Sequence, residues 1–297
     1  MLTGNGGGRG SGTTFTPLIE TTVETMGSAL ANTITANVPG QAYTIALTNH
    51  GVSSMPYAQL KKGTAPYTNG ITQVTNVKNA ATLASKISRV VALTSVHGET
   101  DNFNGISGAT YEGYLNEWRS DLESDIKAIT GQQGKIPLFI DQMSSYFSSY
   151  ANTPTSEIPI YQLAASENNP GNIFLVTPKY FFDYSDRHHL TAASYRWLGE
   201  YYGKVIKKVT VDGEAWRPLS PDRITRIGNT IYAKFHVPAG VLAFDTTIQQ
   251  AVANKGFEYY DSTSSASISS VSIISSDTVA IVLDTTPTGA SQRLRYA

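Results

Sequence analysis

The sequence predicts a doubly wound α/β sheet followed by a small all-β domain. Three observations carry this reading: four short β-branched runs separated by helical patterns, turn and cap residues at the ends of those patterns, and a change of character near residue 209. The runs at residues 43–49 (YTIALTN), 90–96 (VVALTSV), 136–143 (IPLFIDQM) and 173–177 (IFLVT) are largely apolar or β-branched, as strands covered on both faces must be. Between the second and third, Tyr111, Leu115, Trp118, Leu122, Ile126 and Ile129 recur at three- and four-residue steps, the stripe of a crossover helix, and Gly131 stands at its C-cap. Between the third and fourth, Thr155 or Ser156 is placed to cap a helix running through Leu163 to Ser166, ended by Asn169-Pro170-Gly171. After the fourth, Thr191 is placed to cap a helix through Trp197, Leu198, Tyr201 and Val205.

Beyond this point the pattern is β. Residues 225–237 (TRIGNTIYAKFHV) hold a Gly-Asn turn between two alternating runs. Residues 262–284 are Ser/Thr-rich with β-branched residues throughout, and the run 279–283 (VAIVL) is too apolar for a disordered linker. The expected domains are residues 1–208 and 209–297, with no internal repeat.

Composition narrows the function classes. A chain of 297 residues can bury a sizeable core, yet only 15% of it is charged and the net charge is −1. No electrostatic footprint points to nucleic acid or to an anionic membrane, so a neutral partner is expected. No cysteine occurs, which removes disulfides, thiolate metal sites and cysteine nucleophiles. No apolar run approaches the ~20 residues of a membrane span. His188 and His189 are adjacent and point different ways, and His50, His97 and His236 are scattered, so no metal site is expected.

The chemistry concentrates at Asp186-Arg187-His188-His189-Leu190-Thr191. An Asp and a His three residues apart at a helix entrance let the carboxylate hold one imidazole nitrogen while the other faces a cleft, the base half of a serine hydrolase. Asp183 competes for the orienting role. The nucleophile is harder to place. Ser11 and Ser28 follow glycines but do not sit in a G-x-S-x-G elbow between strand and helix. The Gly-rich residues 4–12 match neither a dinucleotide fingerprint nor a P-loop and read as a surface loop.

Taken in order, His50-Gly51 with the following residues 60–67 (LKKGTAPY), then His97-Gly98-Glu99-Thr100-Asp101, then Asp186-x-x-His189-Leu190-Thr191, resemble the SGNH hydrolases, in the carbohydrate O-acetylesterase branch related to sialate O-acetylesterases and found in phage and bacterial surface proteins. The resemblance covers about residues 13–208 and matches the second, third and fifth blocks of that family. It implies a flavodoxin-like strand order, a serine-type deacetylation of a carbohydrate without cofactor, and an acetylated carbohydrate as partner, with no nucleic acid and no membrane. It makes His189 the general base and Asp186 its orienting carboxylate. Gly51 and Thr100 become oxyanion donors, and His97, Gly98, Glu99 and Asp101 line the pocket or brace its loops.

The sequence departs from the family in two ways. Thr100 stands where the third block has asparagine, which puts that oxyanion donor in question. The first block, a Gly-x-Ser turn after the first strand, should precede residues 15–20 (FTPLIE), where only the Gly-rich loop stands. The expectation is therefore a sheet lacking its first strand and a fragment inactive as it stands. The rival reading is a non-catalytic carbohydrate-binding or structural module of a phage tail or cell-surface protein, with 17 tyrosines and the Ser/Thr-rich β domain as sugar-binding face. A third, a lipase-like esterase, requires a wide apolar groove. Oligomeric state and localisation stay open, the resemblance alone pointing to an extracellular or virion-associated setting.

Overall fold

Three parallel strands, β1 (Leu93–Ser95), β2 (Leu138–Gln142) and β3 (Ile173–Pro178), pair in chain order, with Leu93 opposite Leu138 and Leu138 opposite Ile173. Alternate residues along them enter different cores. Leu93, Leu138, Ile140, Ile173 and Leu175 belong to one apolar cluster, and Ala92, Phe139, Phe174 and Val176 to another. A sheet apolar on both faces needs helices on both. The computed structural model, which describes residues 25–38, 40, 44–144, 156–245 and 251–296, supplies them. Helices α2 (Ala65–Leu83), α4 (Gly108–Thr130) and α5 (Ile158–Asn168) fill the first cluster, and α1 (Gly27–Ala36) and α6 (Ala192–Thr210) the second. A short helix, α3 (Glu99–Phe103), follows β1.

The predicted crossover helix is α4. Tyr111, Leu115, Trp118, Leu122 and Ile126 are all buried on it, and Gly131 closes it at φ +73°. Burial at roughly 2 kcal/mol per large side chain far outweighs the Ser107 cap, whose side chain accepts from Thr110 N and is worth about 1 kcal/mol. Thr191 caps α6 as expected, its hydroxyl accepting from Ser194 N at 3.2 Å. Helix α5 begins after Glu157 rather than at Ser156, with Pro159 in its first turn and no side-chain cap; Thr155 lies outside the described residues.

Three helices, α1, α2 and the short α3, go beyond the helices that the sequence pattern predicts. In α2 the apolar stripe is diluted by Thr and Asn, which favour turns, but Thr68, Thr72, Thr75 and Thr82 each donate back to a carbonyl four residues earlier and so satisfy their hydroxyls within the helix. Helix α1 gains its place by packing on α6. Gly199 and Gly203 lie one turn apart, and a Cβ there would meet Met26 O at 2.3 Å and Leu30 O at 2.8 Å.

One expected strand is absent. Residues 44–48 form no ladder among the described residues and Asn49 makes only an isolated bridge, while Tyr43 lies outside them. The apolar character of this run serves packing, since Ile45 and Leu47 rest against the second cluster.

The chain divides into two compact units, Met1–Trp216 and Arg217–Ala297. The second is antiparallel. Strands β4 (Ser220–Ile227), β5 (Thr230–His236), β8 (Thr278–Leu283) and β7 (Ile268–Ile273) form one sheet in that spatial order, and β6 (Phe257–Tyr260) pairs with β9 (Arg293–Tyr296). The Gly-Asn turn joins β4 to β5, with Gly228 at φ +60°, the conformation a two-residue hairpin assigns to glycine. The VAIVL run is β8, and Val279, Ile281 and Leu283 anchor the core of this unit.

Candidate active site

The segment after β3 folds back on itself. Tyr184 bridges Leu190, Ser185 N donates to His189 O at 2.8 Å, and Thr191 N donates to Asp183 O at 2.9 Å. Asp186 turns inside this loop. Its Oδ1 accepts the N–H groups of His188 and His189, each at 2.7 Å, and its Oδ2 meets His189 Nδ1 at 2.7 Å. The backbone N–H of His188, the imidazole and the N–H of His189 together hold the Asp186 carboxyl well below the usual carboxylate range. An ionised carboxylate can only accept, so Nδ1 carries a proton, and the neutral ring is then the tautomer with its lone pair on Nε2 that a general base needs. Both side chains are more than half exposed, and Nε2 has no hydrogen-bond partner among the described residues. Asp183 contributes its backbone, with its N–H donating to Ser194 Oγ at 2.9 Å, and it is Asp186 that meets the imidazole.

The residues 97–101 are turned largely inward. His97 Nε2 donates to Met55 O at 3.1 Å, and Nδ1 is hydrogen-bonded with Tyr111 Oη at 2.9 Å, accepting from it in the neutral ring. The ring also lies parallel to Tyr111 and edge-on to Trp118. Gly98 has φ +135°, and a Cβ there would meet Met143 Sδ at 3.1 Å and both Gln162 Nε2 and Ile158 Cγ2 at 3.2 Å, so the position requires glycine. Asp101 is buried, with Oδ2 accepting from Tyr57 N at 2.9 Å and lying 3.5 Å from His97 Nε2; burial pushes its carboxyl up. These residues brace the loops around the strand ends.

Glu99 does something else. Its Oε1 lies 2.6 Å from Lys179 Nζ, which also reaches Asp141 Oδ2 at 2.8 Å. Lys179 follows β3, Asp141 lies in β2 and Glu99 follows β1, so the cluster sits at the C-terminal ends of all three parallel strands, where open α/β sheets hold their ligands. Burial works against the Lys179 ammonium, but Asp141 and Glu99 outweigh it and hold it well above its usual range. Burial likewise opposes the Glu99 charge, yet Lys179 keeps that carboxyl low. Asp141 is pushed up, by burial first and then, against Lys179, by the charge of Glu99. Tyr202 Oη donates to Ser95 O at 2.7 Å beside Asp141. Sequence reasoning missed Asp141, Lys179 and Tyr202. A signal was available: a charged residue inside or directly after a buried strand is rarely left without a partner.

The two oxyanion candidates make contacts of their own. Gly51 is buried and its N–H donates to Asn49 Oδ1 at 2.9 Å. Thr100 is the second residue of α3, its carbonyl accepting from Asn104 N at 3.0 Å. No hydrogen bond or ion pair among the described residues joins either to Asp186 or His189. Among the described residues no cluster of three His, Asp or Glu is grouped to hold a metal ion, and no helix is long and apolar enough to cross a membrane. Ser11, the Gly-rich residues 4–12 and residues 15–20 lie outside the described residues. Ser28 is the second residue of α1.

No family model and no curated protein matches the chain. Solved structures do. A carbohydrate acetylesterase from Xanthomonas citri superposes with a TM-score of 0.56 at 13% identity, covering 91% of this chain and 59% of that one. An Arabidopsis thaliana protein superposes with a TM-score of 0.49 at 15% identity, covering 62% of this chain and 68% of that one. The chain thus shares the fold of an esterase of carbohydrates while spanning less than two thirds of that enzyme's length.

Proposed function

We propose that the first unit is a serine-type carbohydrate esterase domain of the SGNH kind that acts on O-acetylated sugars, with Asp186–His189 as its base. The carrying observation is the 2.7 Å contact that fixes His189 in the base tautomer on the loop after β3. In the reaction, a serine attacks the ester carbonyl as His189 Nε2 takes its proton; none of the described residues is assigned as that serine, so the chain as given is expected to turn over little or no ester. The imidazolium, stabilised by Asp186, returns the proton to the departing sugar hydroxyl; water activated by the same imidazole then releases acetate. The matching fold of a carbohydrate acetylesterase supports this reading.

A second reading is a binding module for acetylated carbohydrate on a phage tail or cell surface. It is favoured by the absence, among the described residues, of a hydroxyl on His189 Nε2 and by the Gly51 N–H already held by Asn49. One experiment separates them. Acetate release from 4-nitrophenyl acetate and from an O-acetylated polysaccharide is measured for the wild-type chain and for His189→Ala, together with polysaccharide binding by calorimetry. Release that depends on His189 establishes the esterase. That release would also overturn the expectation of an inactive fragment; saturable binding that His189→Ala leaves unchanged, without release, supports the module, and no binding of the polysaccharide overturns the module.

A further inference from the structure

Lys179 has two attachments that hold different parts of the chain. Its backbone opens the base loop: its N–H donates to Gln142 O at 3.0 Å and its carbonyl accepts from Phe182 N at 3.1 Å. Its side chain, 4% exposed, crosses to Glu99 at 2.6 Å and Asp141 at 2.8 Å. We propose that Lys179 is the positioning residue of the base loop, latching residues 179–191 to β2 and to the start of α3 and so fixing where His189 is presented over the strand ends. It never touches the imidazole.

The geometry gives the latch its direction. One ammonium is shared between the buried Asp141 carboxylate and the partly exposed Glu99 carboxylate, so the lysine cannot withdraw without leaving Asp141 buried and unpaired with a second carboxylate beside it. The loop is held at its other end by the buried side chain of Leu190 and by the Thr191 cap, and in the middle by Tyr184 Oη with Ser144 Oγ at 2.8 Å. Asp186 and His189 ride between these ties. Without the lysine, the Tyr184 contact and the distal tie remain, so the loop should loosen rather than unfold. The consequence for activity rests on Asp186–His189 being the base; the latch itself does not.

The test is amide hydrogen exchange on the full chain. In the wild type, the Ser185 and Thr191 amides should exchange at least about tenfold more slowly than in an unstructured peptide, and exchange at the peptide rate would overturn the latch without any variant. The charge-free triple variant Lys179→Met, Glu99→Gln, Asp141→Asn avoids stranding buried charges. In it, exchange across residues 183–191 should rise about tenfold while the amides of β5 and β8 keep their rates, and Lys179→Arg alone should keep most of the protection. A folded triple variant with unchanged exchange across 183–191 overturns the proposal. Faster exchange with no esterase activity in any form leaves the latch standing and removes the esterase reading instead.

Discussion

His50 is enclosed by α2, α4 and the strands, with both ring nitrogens lacking a partner among the described residues and the ring close to Gly70. Burial lowers its pKa from 6.5 to about 4. The unfolded chain therefore takes up the proton first as pH falls, so the contribution of neutral His50 is complete above the unfolded value and is lost between pH 6.5 and about 4. The loss amounts to about 3 kcal/mol. Denaturant melts from pH 7 to pH 4 should show it, and a folded His50→Phe should lack that component; an unchanged pH slope would show that the imidazole finds a partner when protonated. Gly98 gives a second prediction at this scale. With φ +135° and three side chains on its open face, Gly98→Ala should cost about 1–3 kcal/mol in backbone strain alone, read as a lowered denaturation midpoint. The Asp186–His189 contact was legible in the sequence because its partners are three residues apart and local geometry nearly forces them together. Glu99 and Lys179 are 80 residues apart, and only the sheet brings them into contact.

Helical glycines show how packing reverses a propensity. In an exposed helix interior Gly→Ala stabilises by roughly 0.5–1 kcal/mol, and Gly113 on α4, with nothing within 4 Å of an added Cβ, should follow that rule. Gly199→Ala on α6 should do the opposite, because its Cβ would fall 2.3 Å from Met26 O and α1 would have to move, at a cost of about 1–3 kcal/mol. Thermal melts of the two variants should shift in opposite directions; a shared upward shift would mean that α1 can slide away freely. The elements themselves were legible in proportion to their patterning. Helix α4 carries five large apolar side chains in register, and three of the four expected strands are present. Residues 44–48 have the composition of a strand but form no ladder with any of the described strands, and strand formation depends on such a neighbour more than on propensity.

At the scale of the molecule, each unit closes its own core. Ile281 is fully buried in the second, and Ile281→Ala should destabilise that unit by about 2–5 kcal/mol, seen as faster amide exchange in β5 and β8. Unchanged exchange there would show the cavity collapsing. The fold class was readable because patterning over whole segments averages out local exceptions; the composition of a buried charge cluster has no such average. The inward-turned residues 97–101 carry a consequence for anyone reading variation in this chain. His97, Gly98 and Asp101 are tied to Met55, Tyr111, Tyr57 and the Gln162–Met143 contact, so the architecture depends on them whatever chemistry the loop performs. A library screened only for soluble expression would already deplete substitutions at these three positions, and depletion there would therefore be no sign of turnover. Tolerance at Asp186 and His189 in that same screen, followed by depletion only when carbohydrate processing is selected, is the contrast that would separate scaffold from chemistry.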